Sequence, residues 1–253
     1  MTPTLLLKNA LVIATMDDEQ REIANGSVFI RGNRVEAVGP ASELPDTADK
    51  VIDMTGHVLI PGLINTHHHM FQSLTRALPA AQDAELFDWL TALFPVWQNI
   101  TPAMQRAATR TALAELMLSG CTTAADHAYL YVNGTRLDDS VQAAQEMGMR
   151  FHAVRGAMSL GQSKGGLPPD ALVEQDEDAI LKEMQRVVEE LHDATPDAMI
   201  KVALGPCSPF TVTTDLMREG AALARSCGVG LHTHTAENAK DLAFSKERYG
   251  MTP

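Results

Sequence analysis

Two short stretches of this chain hold side chains that could do chemistry together. In VLIPGLINTHHHMFQSLTRALP, residues 58 to 79, an apolar run ends in three consecutive histidines, His67, His68 and His69, in a chain with nine histidines in all. Successive side chains of an extended strand point to opposite faces, so His67 and His69 share a face while His68 points away. That spacing makes a two-toothed clamp for a metal ion. A histidine triplet in a solvated loop would not need the preceding Leu-Ile-Pro-Gly-Leu-Ile, which reads as a buried strand entered through a tight turn. The second stretch, LHTHTAE at residues 231 to 237, repeats the spacing with His232 and His234 and places Glu237 three residues after His234. Zinc held by imidazoles with one open position brings the pKa of its water toward neutrality, and a carboxylate outside the ligand set can take that proton and hand it to a leaving group. Glu237 suits the second task. His232 and His234 share a face and compete for one ligand position.

These residues need elements to position them. Residues 4 to about 60 carry the strand-like runs TLLLKNALVIATM, GSVFIRGNRVEAVG and KVIDMTGHVLIP, broken by Asn-Gly, Gly-Asn and Thr-Gly turn signals, which predicts a small antiparallel β unit. From residue 61 the pattern alternates between strand and helix, the signature of a parallel sheet or barrel. LINTHHH, CTTAADHA, MRFHAVRGAM, MIKVALGPCSPF and VGLHTHTAE read as five strands. A long helical region containing TPAMQRAATRTALAELMLSG separates the first two, with a Thr-Pro start and a Gly stop. Between the third and fourth, Ile180, Met184, Val187, Val188 and Leu191 have the spacing of one buried helix face. In a parallel barrel the C-terminal strand ends carry the chemistry, so both histidine clusters fall on one face.

Composition limits the partners. With 45% hydrophobic and 21% charged residues the chain is an ordinary globular protein, and a formal net charge of −12 without any Lys/Arg-rich run excludes a nucleic-acid polymer as partner. A small neutral or cationic substrate fits that field. Cys121, Cys207 and Cys227 are odd in number and form no C-x-x-C pair, so a reducing cytoplasm is expected. The start lacks a signal peptide's basic head and cleavage site, and no stretch reaches the roughly 18 apolar residues of a membrane span, so no membrane association is expected.

With His67-His68-His69 at strand one and His234-Thr235-Ala236-Glu237 at strand five, the chain resembles the amidohydrolase superfamily, in particular its deaminase branch. The segment ending in IPGLINTH resembles that superfamily's N-terminal strands as well. The resemblance implies an α/β fold, a (β/α)8 TIM-type barrel of which about five units are present, with residues 1–60 an N-terminal β-sandwich segment and residues 61–253 the N-terminal part of the barrel. It implies His67, His69 and His234 as metal ligands and Glu237 as proton shuttle, with His232 and His68 left as hydrogen-bonded structural histidines. Two-metal members often bridge the ions with a carboxylated lysine near the end of strand four, whereas Lys201 lies at that strand's start. One divalent metal is therefore expected, zinc first and iron as competitor. The cytidine-deaminase signature fails, because Pro206-Cys207 is followed by Ser-Pro-Phe and lacks the second cysteine.

HHHMFQSLTRALPAAQDAELFDWL and ALGPCSPFTVT look most like the group of 8-oxoguanine deaminases and hydroxyatrazine-type aminohydrolases. The expected reaction is hydrolytic deamination of a small nitrogen heterocycle such as 8-oxoguanine, with release of ammonia. An s-triazine aminohydrolase and a non-catalytic metal-binding scaffold are the alternatives, and the resemblance leaves room for a homo-oligomer. Gln72 matches a glutamine with which guanine deaminases read the purine edge, a task suited to an amide that donates and accepts at once. Guanine deaminases carry an arginine where this chain has Cys207-Ser208, which counts against guanine itself. Arg155, His127 and Cys207 are further expected substrate contacts, with His127 preferred over its neighbour Asp126, and Trp89 or Trp97 is available to wall an aromatic ring. A (β/α)8 barrel takes about 250 residues and this chain spends some 60 on the β segment, so a portion of a protein of roughly 450 residues is expected. A strand-six histidine and a strand-eight aspartate would then lie beyond Pro253.

Overall fold

In the computed structural model, which describes residues 2–253, the first apolar runs form β1 (Thr4–Ala14), β2 (Glu22–Arg31), β3 (Arg34–Pro40), β4 (Lys50–Asp53) and β5 (Val58–Leu59). They make a single sheet of order β3-β2-β1-β4, with β5 also on β1. The β1/β2 and β2/β3 pairs are antiparallel; a two-residue turn at Gly32-Asn33 joins the second pair, whereas residues 15–21 join the first and Asn25-Gly26, expected as a turn, lies within β2. β4 and β5 instead run parallel to β1, which corrects the wholly antiparallel expectation. Residues 41–49 are long enough to carry the chain back across the sheet before β4 starts, so no hairpin constrains its direction. Leu6, Ala10, Ile13, Val28 and Phe29 are buried in this unit, which extends to Leu63.

The second unit, from Ile64 on, contains the strand-helix alternation. β6 (Leu63–Asn65) leads into the histidine triplet, and two 3-10 turns, Met70–Thr75 and Pro79–Ala81, precede α1 (Leu86–Trp97) and α2 (Pro102–Leu118). There follow β7 (Cys121–Ala128), α3 (Leu137–Met147), β8 (Arg150–Ala157), α4 (Glu177–Leu191), β9 (Ile200–Pro206), α5 (Thr214–Cys227) and α6 (Ala239–Tyr249). The strands form one sheet of order β6-β7-β8-β9, parallel along β7/β8 and β8/β9. Helix ends follow their sequence signals: Thr101 accepts the Met104 N–H at the start of α2, and Gly228 ends α5 in the left-handed region at φ +69°. Ile180, Met184 and Val187 are fully buried along α4, with Val188 and Leu191 packed beside them. Among the described residues no helix is long and apolar enough to cross a membrane.

The fifth expected strand is not a regular one. Residues 229–234 run beside β9 with a single bridge, Leu204 to Leu231, and with bonds from the Leu204 N–H to the Gly230 carbonyl (3.0 Å) and from the His232 N–H to the Leu204 carbonyl (2.9 Å). The next ladder bond would come from residue 206, which is proline and has no N–H to give. The register slips by one residue there, and the His234 N–H bonds the Cys207 carbonyl (2.9 Å) instead.

Alternation along the strands sorts the polar residues. Ala124, Ala128, Phe151, Ala153 and Val202 pack against Leu113, Leu137, Val141 and Ala144 of the flanking helices. Asp126 shares their parity and is fully buried with them; its Oδ1 accepts the Met70 N–H at 2.8 Å, which fixes the chain just after His69. His127 takes the opposite face, where a Cβ on Gly156 would stand 2.3 Å from the Ala128 carbonyl oxygen and 2.7 Å from the His127 ring.

Two expectations follow. Gly156→Ala forces backbone apart and should destabilise the protein by about 1–3 kcal/mol, the range for overpacking, measured by denaturant titration; an unchanged midpoint would contradict the packing described. Burial pushes the Asp126 carboxyl from its ordinary 3.8 up to about 7. Between those values the folded protein holds a proton that the unfolded chain has lost, so this group's contribution makes stability fall as pH rises through that window. Asp126→Asn should therefore gain on the parent between about pH 4 and pH 7, and parallel pH slopes for the two proteins would show Asp126 to be ionised in the native state.

Candidate active site

The residues that close on one another at the ends of β6, β7 and β9 are imidazoles. His69 donates its Nδ1–H to the backbone carbonyl of His127 (2.7 Å), and His234 donates its Nδ1–H to that of Cys207 (2.7 Å). A neutral imidazole has one N–H, so both Nε2 atoms carry lone pairs, and these face each other 3.1 Å apart. Burial keeps the rings neutral: it pushes His69 down to about 3 and lowers His67 and His234. Two lone pairs at that distance repel unless a cation lies with them. The His67 ring stands edge-on to His69, centroid to centroid 4.7 Å, and donor atoms of His67, His69 and His234 all lie within 4.8 Å of one another. This donor set fits a divalent ion that accepts imidazole nitrogen, zinc or iron among them. A second close group, His127, Cys207 and His234, shares His234 with the first and adds the buried Cys207 thiol, which burial raises to about 12.

Glu237 is presented by a turn that the helix after it holds. Ala236 lies in the left-handed region at φ +57°, the Glu237 N–H donates to Asp241 Oδ2 at 3.1 Å, and Asn238 caps α6 by accepting the Asp241 N–H at 3.0 Å. Burial, and then the neighbouring Asp241 carboxylate, raise the Glu237 carboxyl above its ordinary range. That direction favours a group that must both take and return a proton near neutral pH.

A cleft of about 460 Å³ opens over these groups, bordered by His67, His69, His234 and Glu237. Its walls are largely apolar, from Leu90, Phe94, Met158 and Phe210 among others, with Gln72, Cys207 and Ser208 as polar points. Gln72 donates to the Tyr129 hydroxyl (3.1 Å), which sets the amide's orientation. Trp89 walls the cleft, whereas Trp97 is core, its indole N–H bonded to Thr75 Oγ1 at 3.0 Å. Cys207 reaches the cleft as a neutral thiol.

Two expected substrate contacts do not reach it. Arg155 has the parity of Ala153 and Ala157, so it lies on the helix-facing side of the sheet; its guanidinium bonds Glu174 (2.7 Å) and the Gly156 carbonyl and stacks 3.8 Å over the Tyr131 ring. His127 does face the interior, but it is 0% exposed and lies behind the other imidazoles, in contact with His232 (3.0 Å). Sequence reasoning missed two participants and, for His232, expected a hydrogen-bonded structural role without its partners. Tyr129 lies two residues beyond His127, where alternation alone would have put it on the same face, and Asp241 follows Glu237 by four residues. His232 makes contacts with both His67 and His127 that only the fold brings about.

Residues 58–253 match the amidohydrolase family. The chain is 42% identical to 8-oxoguanine deaminase of Pseudomonas aeruginosa over 97% of its length and 54% of that protein. It is 36% identical to hydroxydechloroatrazine ethylaminohydrolase of Pseudomonas sp. strain ADP over 85% of its length and 47% of that protein. Atrazine chlorohydrolase of Arthrobacter aurescens TC1, solved in complex with zinc, superposes with a TM-score of 0.91 at 31% identity, covering 98% of this chain and 56% of that one. The chain spans about half the length of the curated relatives it matches. Its α/β architecture is of the (β/α)8 barrel class with a β segment before it in sequence. On the strength of the match over most of its residues, the chain belongs to the amidohydrolase family.

Proposed function

We propose that the protein is a metal-dependent hydrolytic deaminase of a small nitrogen heterocycle, 8-oxoguanine or a related purine, and that residues 1–60 form its N-terminal β segment and 61–253 the N-terminal part of its barrel. The observation that carries this reading is the facing pair of Nε2 lone pairs on His69 and His234, with Glu237 bordering the same cleft. His67, His69 and His234 hold the ion, and Glu237 shuttles the proton. The ion, when bound, supplies Lewis acidity and a water acidified toward neutral pH. The Glu237 carboxylate takes the proton of the attacking water and delivers it to the departing amine, so that a ring C–O bond forms, the C–N bond breaks and ammonia leaves. Gln72 reads the ring edge with an amide oriented by Tyr129, and Trp89 and the apolar walls take the ring face and keep bulk water away. Cys207, a neutral thiol, offers a small soft contact for the ring and no charge.

One ion per protein is favoured by position. Lys201, the lysine that would bridge two, is the second residue of β9, about 20 Å of strand away from Cys207 just past its far end. The thiols are all unpaired, in keeping with a reducing compartment such as the cytoplasm. The likeness to a hydroxydechloroatrazine ethylaminohydrolase and to triazine hydrolases supports a second substrate reading, an s-triazine carrying an amine.

Metal analysis of the intact protein should find one tightly held divalent ion, zinc first; two tightly held ions would overturn the one-ion site. Glu237→Gln should keep its metal and lose at least about a hundredfold in turnover, the lower range for a lost general acid/base. His69→Ala should lose metal. Amine release assayed on 8-oxopurines and on hydroxylated triazines separates the two substrate readings, and a Glu237→Gln protein with near-normal release would remove Glu237 from the shuttle role.

A further inference from the structure

Beyond the three imidazoles of the donor set, two more form a chain with His67. His67 Nδ1 lies 3.3 Å from His232 Nε2, and His232 Nδ1 lies 3.0 Å from His127 Nδ1. The proton positions along it follow by counting. His69 and His234 each use Nδ1–H on a backbone carbonyl and keep the Nε2 lone pair. For His67 to offer its own Nε2 in the same way, its Nδ1 must carry the proton, and the acceptor for that proton is His232 Nε2. A neutral His232 then carries its one N–H on Nδ1 and donates it to His127 Nδ1. Each contact in the chain thereby has one donor and one acceptor.

The far end of the chain is anchored. His127 is fully buried, its ring flanked by Gly156 and Gly205, where any Cβ would collide with it, and its backbone N–H bonds the carbonyl of His68 (2.8 Å), between the two clamp residues. His232 is less suited to be a ligand itself. The group of donor atoms within 4.8 Å of one another is His67, His69 and His234, and the His232 ring centroid stands 6.2 Å from that of His234, against 5.0 Å for His67.

We propose that His232 is a positioning residue for His67: it accepts the His67 Nδ1–H, fixes that ring's tautomer and rotation, and is held in turn by the buried His127. Among the described residues no backbone carbonyl accepts from His67 Nδ1, as one does from His69 and His234, and His232 takes that place. The inference rests on the metal-site reading above. Partners of this kind typically change metal affinity by about 10–100-fold when removed.

The test is zinc affinity of the intact protein, by competition with a chromophoric chelator, for the parent and for His232→Ala, His232→Phe and His232→Gln. His232→Ala and His232→Phe should weaken zinc binding by about 10–100-fold while still saturating at the parent's stoichiometry. His232→Gln, whose carboxamide oxygen can accept the His67 proton, should recover most of the loss, and the visible spectrum of the cobalt-loaded protein should change with Phe and return toward the parent with Gln. Phe carries the test if the smaller Ala does not fold. Parent-like affinity in the Phe variant, equal weakening by Phe and Gln, or a lost equivalent of zinc at saturation would each overturn the assignment, the last by making His232 a ligand. A parent protein that binds no zinc would sink the metal-site reading itself and this inference with it.

Discussion

The site depends on two hydrogen bonds from imidazole to backbone. His69 is oriented by the carbonyl of His127 at the end of β7, and His234 by that of Cys207 just past β9. Each ring is thus fixed by the end of a strand that it does not belong to. A carbonyl can only accept, so the bond settles which ring nitrogen holds the proton and which keeps its lone pair for an ion. The parallel register of the sheet therefore determines the chemistry of the donor set, and a slip of one residue would turn both a ring and its carbonyl to the wrong face.

The same alternation explains the distribution of the other polar groups. Asp126 and Arg155 lie on the helix-facing side, where each ties down a loop: Asp126 the turn after His69, Arg155 the segment around Glu174. Their burial is costly, and among the described residues Arg155 Nε is left without a partner. On the interior side the glycines at 156 and 205 leave room for one large ring, that of His127. The interior of this sheet is thus arranged around histidines, and its exterior around the alanine and valine contacts with helices.

Electrostatics and shape act together in the cleft. Desolvation lowers the histidines and raises Glu237 and Cys207, so the groups around the opening are drawn toward their neutral forms. A largely apolar cleft with a few oriented polar points suits a flat uncharged heterocycle, and a positively charged ion placed among the lone pairs would be its strongest local field.

Much of this was legible in the sequence. The period of two in THHH and HTHTAE gave the same-face pairs, the strand-helix alternation gave the parallel sheet, and Thr and Gly signals gave helix ends, because all three are local consequences of backbone geometry. The register break at Pro206 was not foreseen, since VGLHTHTAE read as a regular strand, although its cause, a proline with no N–H to continue a ladder, is local. What tertiary structure decided was which side chains from distant strands meet. Arg155 was placed at the cleft by its position near a strand end, and only the pairing of β8 with its neighbours turned it toward the helices. His232 looked like a spare histidine until the sheet brought it against His67 and His127, 165 and 105 residues away in the chain. A sequence states the period of each strand by itself, but contacts across strands depend on register and on the packing of the whole sheet, which no single strand encodes.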